Sequence, residues 1–542
     1  MCNSKEIYQP RVEYFVPQRV VLDENCENSS QILEEMPRQV ILFGENPCLT
    51  IKKGGYIVLD FGVELQGGVI ITLPEVVNDS HLRIVFGESV SEAMSNIGEK
   101  NATNDHAFRD TVIPVTSWQT FRCGTTGFRF VKLEALDNDI NISGIQAVLE
   151  CRDVTYIGEF ECDNQLLNKI WEVGAYTVRL NMQEYLWDGI KRDRIVWVGD
   201  MHPEVSTILS VFGNNEVIRK SLDFISKYTP CDKWMNSMPS YNLWWLKIQH
   251  DYYMWSGDLE YLKGQKDYIC DMTKHILSFV NPDGTHNIDF MFIEWNSCDT
   301  EYEKAGFQAM LAIGLMSAKY ILEILGEDEL SKKCESVACA VKTHIYPYSG
   351  NKQVAAMLSL ADIVDAEKIS NEVIKPGGEH GLSTFWGYYT LQALAKSGDT
   401  GDALDIICKY WGKMLEMGAT TFWEDFDVDW AENAARIDEI VSDGKKDIHG
   451  DFGKFCYEGF RHSLCHGWAS GPTAFLSKQV LGINVKEPGF KKVEIQPDLG
   501  GLSWAKGKIP TPYGEICVEH RMKNGEIETK VSAPEEIDVI VR

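Results

Sequence analysis

The chain is 542 residues long, and several things are missing from it. No run approaches the ~18 apolar residues of a membrane span, so none is read as crossing a bilayer. Met1 to Pro10 carries Lys5 and Glu6 and no apolar stretch, so no signal peptide is read there and a cytoplasmic protein is expected. Basic residues never cluster: Lys445-Lys446 and Lys491-Lys492 are isolated pairs against a net charge of −28. A surface that acidic repels phosphate backbones, which argues against a nucleic-acid partner. The 15 cysteines include no C-x-x-C pair. They sit in apolar surroundings (Cys270, Cys408) or in loops (Cys2, Cys298), and are read as reduced thiols rather than a disulfide framework or a zinc site.

What is present is an ordinary globular composition, 44% hydrophobic and 24% charged, long enough for two to four domains. Residues 1 to about 155 read as β. Gly55–Gly62, Gly68–Leu73, His81–Phe86 and Phe128–Glu134 alternate and are punctuated by Gly, Asn and Asp, which predicts a sandwich or jelly roll. Near Phe160 the period changes. Asp163 is a candidate N-cap for a helix through Leu166, Leu167, Ile170, Trp171 and Val178. Further helices are expected at Phe307–Met316, Ser383–Leu394 and Gly471–Leu481, with Asn281-Pro282-Asp283-Gly284 as a connecting loop. Helix pairs joined by loops over some 320 residues suit an α/α toroid. From about Gly489 the chain reverts to β, with strands at Val493–Gln496 and Gly514–His520 and two more within Glu526–Arg542.

The 15 tryptophans concentrate between residues 187 and 255 and between 386 and 430, beside carboxylates. A sugar-binding cleft needs that combination, because a pyranose stacks its C–H face on a ring and offers its hydroxyls to acceptors. The densest cluster of charge is Asp188-Gly189-Ile190-Lys191-Arg192-Asp193-Arg194-Ile195-Val196-Trp197-Val198-Gly199-Asp200. Its two glycines predict a loop between helices, where catalytic groups commonly sit. A solvated loop with local ion pairs would carry the same charges, but packing of Ile195–Val198 would draw them into partial burial. A second cluster, Thr420-Thr421-Phe422-Trp423-Glu424-Asp425-Phe426-Asp427, reads equally as a helix N-terminus that favours acids. Together the two supply a distant pair of carboxyl groups, as glycoside hydrolysis requires: one protonates the leaving oxygen and the other activates water or attacks the anomeric carbon.

Asp-x-x-x-Arg-Asp-Arg-x-x-Trp-x-Gly-Asp followed far downstream by Trp-Glu-x-Phe-Asp resembles the bacterial α-L-rhamnosidases of glycoside hydrolase family 78. The resemblance implies a central (α/α)6 barrel at 159–484, flanked by an N-terminal β-sandwich (jelly roll) at 1–158 and a small C-terminal β-sandwich at 485–542. It implies an inverting hydrolase with no cofactor and no catalytic metal. Asp193 matches the general acid and Glu424 the general base. Asp188 and Asp200 match acids that hydrogen-bond rhamnose hydroxyls; Arg192 and Trp197 match sugar contacts. His466, in His462-Ser463-Leu464-Cys465-His466-Gly467-Trp468, resembles a pocket histidine, and a satisfied core histidine is its other reading. Trp244 (or Trp245), Trp295 and Trp386 fall where the family places pocket tryptophans. Many members carry Glu where this chain has Asp193, one methylene shorter. The chain is also short for the family, which implies small rhamnosylated substrates, and a homodimer is what the family implies for assembly.

Three other readings stay open on sequence. A polysaccharide lyase would need a basic subsite for its uronate, which the acidic clusters oppose. Another α-L-glycosidase would use the same residues. A non-catalytic carbohydrate-binding protein would bind sugar without turnover.

Overall fold

The computed structural model describes residues 8–35, 37–42, 47–77, 79–298 and 300–542; Cys2 and most of the Met1–Pro10 stretch lie outside them. The chain forms two compact units. One comprises residues 1–153, 179–195 and 413–466, the other 154–178, 196–412 and 467–542. The β-then-helix-then-β order of the sequence is present, but compactness does not follow it: two internal segments, 179–195 and 413–466, join the first unit.

The first unit is built on an eight-stranded sheet within residues 11–151, antiparallel in its pairings. Its axis is the 25-residue strand Leu49–Leu73, which absorbs both Gly55–Gly62 and Gly68–Leu73 of the sequence reading. That strand pairs along most of its length with Gln119–Ala135, and the register breaks between Asp60 and Leu65. Before the break its other neighbour is Arg19–Glu27; after it, Gly144–Cys151. Alternating apolar side chains supply the core: Ile57, Leu59, Phe61, Phe128 and Phe130 are without exposed surface.

The first long helix spans Gln165–Asn181, its residues up to Val178 counted in the second unit. Its cap is Asn164, whose Oδ1 accepts from Leu166 N at 3.0 Å, and not the expected Asp163, whose Oδ2 accepts from Ser503 N at 2.9 Å. Contacts link the helices Val198–Val211, Pro239–Ser256, Glu303–Ile324, Lys352–Leu360, Gly387–Lys396 and Gly471–Phe475 in that order, and the last packs back on the first. Pro239–Ser256 buries residues all round, including Trp244, Trp245 and Tyr252, as a helix with neighbours on every side must. Glu216–Tyr228 instead buries one stripe, Val217, Ile218, Ser221, Leu222 and Ile225. By length and composition Glu303–Ile324 could cross a membrane, which the sequence reading passed over; 78% of its most apolar window is buried inside the protein, so that surface is core. The expected helix over Gly471–Leu481 is α only to Phe475 and continues as a π turn, Leu476–Val480.

The C-terminal strands form a three-stranded and a four-stranded sheet. Glu159–Cys162, counted with the helical segment on sequence, is the edge of the latter, antiparallel to Trp504–Thr511. The described cysteines are free thiols; Cys270 is buried and Cys408 half-buried.

Candidate active site

Residues 182–197 run between two helices as the spacing of glycines predicts, but the two glycines do different jobs. Gly189 lies where the backbone approaches closely: a Cβ there would meet Arg192 O at 2.5 Å and His466 Nδ1 at 3.0 Å. It forms an isolated antiparallel bridge with His466, which is 2% exposed. Gly199 is inside the helix Val198–Val211, and a Cβ on it would meet the Tyr241 ring at 2.5 Å. Asp188 closes the loop. Its Oδ2 accepts from Asp193 N at 2.9 Å, its Oδ1 from Ile195 N at 3.1 Å, and its own N–H reaches Ile195 O. Each oxygen of this buried carboxylate accepts one amide of the loop, a shaping task that the sequence did not signal. Arg194 pins the far side, its guanidinium 4.5 Å over the Trp187 ring and donating to Thr125 O at 2.8 Å. Ile195 is 45% exposed instead of packed.

That framework delivers Arg192 and Asp193, joined by a cis peptide bond, to Glu424. The Arg192 guanidinium donates to Glu424 Oε1 at 2.9 Å and Oε2 at 2.7 Å, lies 3.4 Å from Asp193 Oδ1, and donates through Nε to Arg461 O. Burial works against the Arg192 charge, but Glu424 and the neighbouring acids outweigh it and raise its pKa. Glu424 is held from the opposite side as well: its Oε2 accepts from Ser463 N at 3.1 Å and its N–H donates to Ser463 O. Arg192 and Glu424 side chains are each 4% exposed and Asp193 23%, so of the two carboxyls Asp193 is the more open. The segment Thr420–Asp427 is a loop and not a helix start, although Asp427 does cap the short 3-10 turn Val428–Ala431.

Beneath these residues lies a buried polar cluster that the sequence reading missed. The Lys191 ammonium lies 2.9 Å from Glu88 Oε2 and 3.3 Å from Glu92 Oε1, and donates to the carbonyls of Phe460 and His462. Burial pushes the Glu88 carboxyl up to about 7 against the pull of Lys191. Burial, with Glu88 and Glu92 adding to it, raises Glu64 well above its ordinary range. Burial and nearby cations hold the pKa values of His449 and His462 well below the ordinary histidine range. His462 Nε2 accepts from Asp425 N at 3.0 Å. Glu88, Glu92 and His449 place their ligand atoms within 4.8 Å of one another, a spacing that could hold a metal ion. Lys191 already supplies positive charge to both carboxylates, so the cluster balances its charge through an ammonium. Only the adjacency of Lys191 to Arg192 signalled any of this; Glu88, Glu92 and His449 are distant in sequence and unremarkable there.

The remaining expected residues belong to the second unit. Trp197 is half-buried and meets Tyr241 edge to face at 6.0 Å; Asp200 is 2% exposed in the first turn of its helix. Trp244 is 1% exposed, stacked against His202 and Tyr389 with centroids 4.9 and 5.1 Å away. Trp386 has no exposed surface. Both are core rings here, which differs from the expectation of faces open to a sugar. Trp295 is half-buried, edge-on to Phe292.

Comparison with known proteins places the chain. The family model of the bacterial α-L-rhamnosidase six-hairpin glycosidase domain matches residues 155–476, and that of the bacterial α-L-rhamnosidase C-terminal domain matches 482–542. The chain belongs to this family of six-hairpin glycosidase-domain proteins. It is similar to an α-L-rhamnosidase of Alteromonas sp. (strain LOR), 24% identical over 541 residues that cover 88% of this chain and 55% of that one. The chain spans about half the length of the curated relatives it matches. Among solved structures it resembles a family 78 rhamnosidase of Bacillus sp. GL1, with TM-score 0.75, 20% identity, and coverage of 94% of this chain and 55% of that one. It also resembles a Klebsiella oxytoca rhamnosidase with rhamnose bound, with TM-score 0.69, 17% identity, and coverage of 86% and 96%. These likenesses show the fold.

Proposed function

We propose that the protein is an inverting α-L-rhamnosidase that releases terminal α-L-rhamnose from small rhamnosides. The family match supports the reaction class. The observation that carries the residue assignment is the Arg192 guanidinium set between Asp193 and Glu424. In this reading Asp193 protonates the glycosidic oxygen and Glu424 draws a proton from water on the other face of the sugar. Arg192 lies between the two carboxyls and contacts both; an inverting pair needs about 6.5–9.5 Å between its carboxyls to admit the water. As rhamnose departs, the anomeric carbon gains the water oxygen, the leaving oxygen gains the proton of Asp193, and Glu424 gains the proton lost by water. Asp188 acts by fixing the Asp193 backbone. The sugar contacts assigned to Trp197, Asp200, Trp244, Trp295, Trp386 and His466 rest on the resemblance alone, and the burial of Trp244 and Trp386 gives Trp197 and Trp295 the better claim among the tryptophans.

The proposal includes the architecture: an (α/α)6 barrel over 159–484, supported by the cyclic packing of six helices, between an N-terminal jelly roll (1–158) and a C-terminal sandwich (485–542) that borrows Glu159–Cys162. The first test is p-nitrophenol release from p-nitrophenyl α-L-rhamnoside against a panel of other p-nitrophenyl glycosides, with proton NMR of the first-formed sugar. Selective turnover with the β-anomer appearing first is expected, and Asp193→Ala and Glu424→Ala are each expected to remove most activity in a folded protein. Near-normal turnover by either variant refutes the assignment, and turnover of a different glycoside moves the chain to another α-L-glycosidase.

A further inference from the structure

The helix that begins at Gly471 gives way to the π turn Leu476–Val480, and single π turns recur at functional sites. Ser477 and Lys478 on that turn line a cavity of about 320 Å³. Its walls lie wholly within the second compact unit. The cavity is set apart from the expected sugar contacts. Ser206, Leu209 and Ser210 line it from the last turns of the helix Val198–Val211, whereas Asp200 sits in the first turn. At about 1.5 Å of rise per residue, Asp200 is about 15 Å from Ser210 along the axis. Leu209, Met254, Ile483 and Ile509 give the cavity apolar walls.

The charges around this cavity do not cancel. Asp251 is matched: its Oδ2 accepts from His202 Nε2 at 3.1 Å and from the Lys247 ammonium, and its Oδ1 lies 2.8 Å from His250 Nδ1. Burial opposes the Asp251 charge, but Lys247, His202 and His250 outweigh it and hold the carboxyl well below its ordinary range. Lys486 is matched by Glu494 at 2.7 Å. Lys478 is the exception. Among the described residues its ammonium has no hydrogen-bond or ion-pair partner, and the residue is exposed. The protein around it still impedes hydration: burial lowers its pKa against the pull of Asp251, and Lys247 adds to the lowering. A poorly hydrated, unpaired ammonium gains from an incoming anion, and one charge beside apolar walls selects an anion whose remainder is apolar.

We infer that this cavity is a second binding site, which takes a small monocarboxylate with a compact apolar body and pairs its carboxylate with the Lys478 ammonium. The site is independent of the rhamnosidase reading and stands or falls without it. The test is isothermal titration of the full chain with benzoate. Saturable binding at one site is expected. Benzamide keeps the ring and loses the charge; acetate keeps the charge and lacks the ring. Each should bind at least about tenfold more weakly than benzoate, the size of one lost charge-assisted contact or of the lost apolar burial. Lys478→Met should weaken benzoate by at least about tenfold, and Lys478→Arg, which keeps the charge, should stay within about threefold of wild type. Saturating L-rhamnose should leave benzoate binding unchanged. The absence of saturable benzoate binding by the wild-type protein overturns the site, as does equal binding of benzamide; neither comparison depends on a variant that folds. Unchanged affinity in a folded Lys478→Met protein removes the assignment to Lys478, equal binding of acetate removes the apolar half of the ligand, and displacement of benzoate by L-rhamnose merges the site with the sugar pocket and refutes a second one.

Discussion

Lys191→Met tests the buried cluster under the site. The substitution keeps most of the side-chain volume and removes one ammonium from between two carboxylates that are each without exposed surface, Glu88 and Glu92. It also removes the donor to the carbonyls of Phe460 and His462, which lead into the Ser463 amide that holds Glu424. Removing one partner of a buried pair costs about 3–5 kcal/mol because a charge is left uncompensated. The cost depends on pH in a definite direction. The folded protein holds the Glu88 proton up to about pH 7, whereas the unfolded chain releases it near 4.5, so in the wild type this group's contribution to stability falls as pH rises through that window. Without Lys191, the cation that pulled its pKa down, Glu88 keeps its proton to still higher pH. The loss is therefore larger at pH 8.5 than at pH 5.5. At pH 5.5 protonation of Glu88 removes one of the unpaired charges, and about half the loss is expected. The assay is urea unfolding followed by tryptophan fluorescence at both pH values, comparing the first transition and its m-value. Lys191→Met/Glu88→Gln should recover part of the loss at pH 8.5. A loss under about 1 kcal/mol, the worth of an exposed pair, or an equal loss at both pH values refutes the reasoning.

Two further outcomes follow from the same geometry. Arg192→Lys retains the charge, but an ammonium cannot match the planar guanidinium that serves Glu424, Asp193 and Arg461 O together; kcat for p-nitrophenyl α-L-rhamnoside should drop by about 10²-fold with a smaller change in KM, as expected when positioning is lost. Asp425 is 4% exposed, and burial, opposed by a hydrogen bond from Phe426 N, raises its carboxyl from 3.8 to about 6. The folded protein therefore loses stability as pH rises from about 4 to about 6, by about 3 kcal/mol in full, and Asp425→Asn should raise the melting temperature at pH 7.5 while leaving it nearly unchanged at pH 4. A shift of equal size at both pH values would count against that assignment.

Much of this protein was legible in its sequence because local chemistry decided it. Two-residue alternation set the strands at Gly55–Leu73 and Phe128–Glu134, and the spacing of Leu166, Leu167 and Ile170 set a helix. The close packing of Asp188, Arg192 and Asp193 within six residues guaranteed that they would share one loop. What sequence could not decide were the partners of those residues, which depend on which distant segments pack together. Asn164 and Asp163 are equal as caps until Ser503 arrives to take the aspartate. Trp244 and Trp386 are suited to a sugar cleft until helix packing closes over them. Asp188 carries the same charge whether it meets a hydroxyl or two backbone amides, and only the fold of the loop assigns it the amides. The pairing of Arg192 with Glu424 spans 232 residues, and Glu88 and Glu92 come from a β-domain with no local pattern pointing to the site. Periodicity and short-range spacing are properties of neighbours along the chain. The balance of buried charge that holds the carboxyl groups is a property of neighbours in space, so only the tertiary structure could decide it.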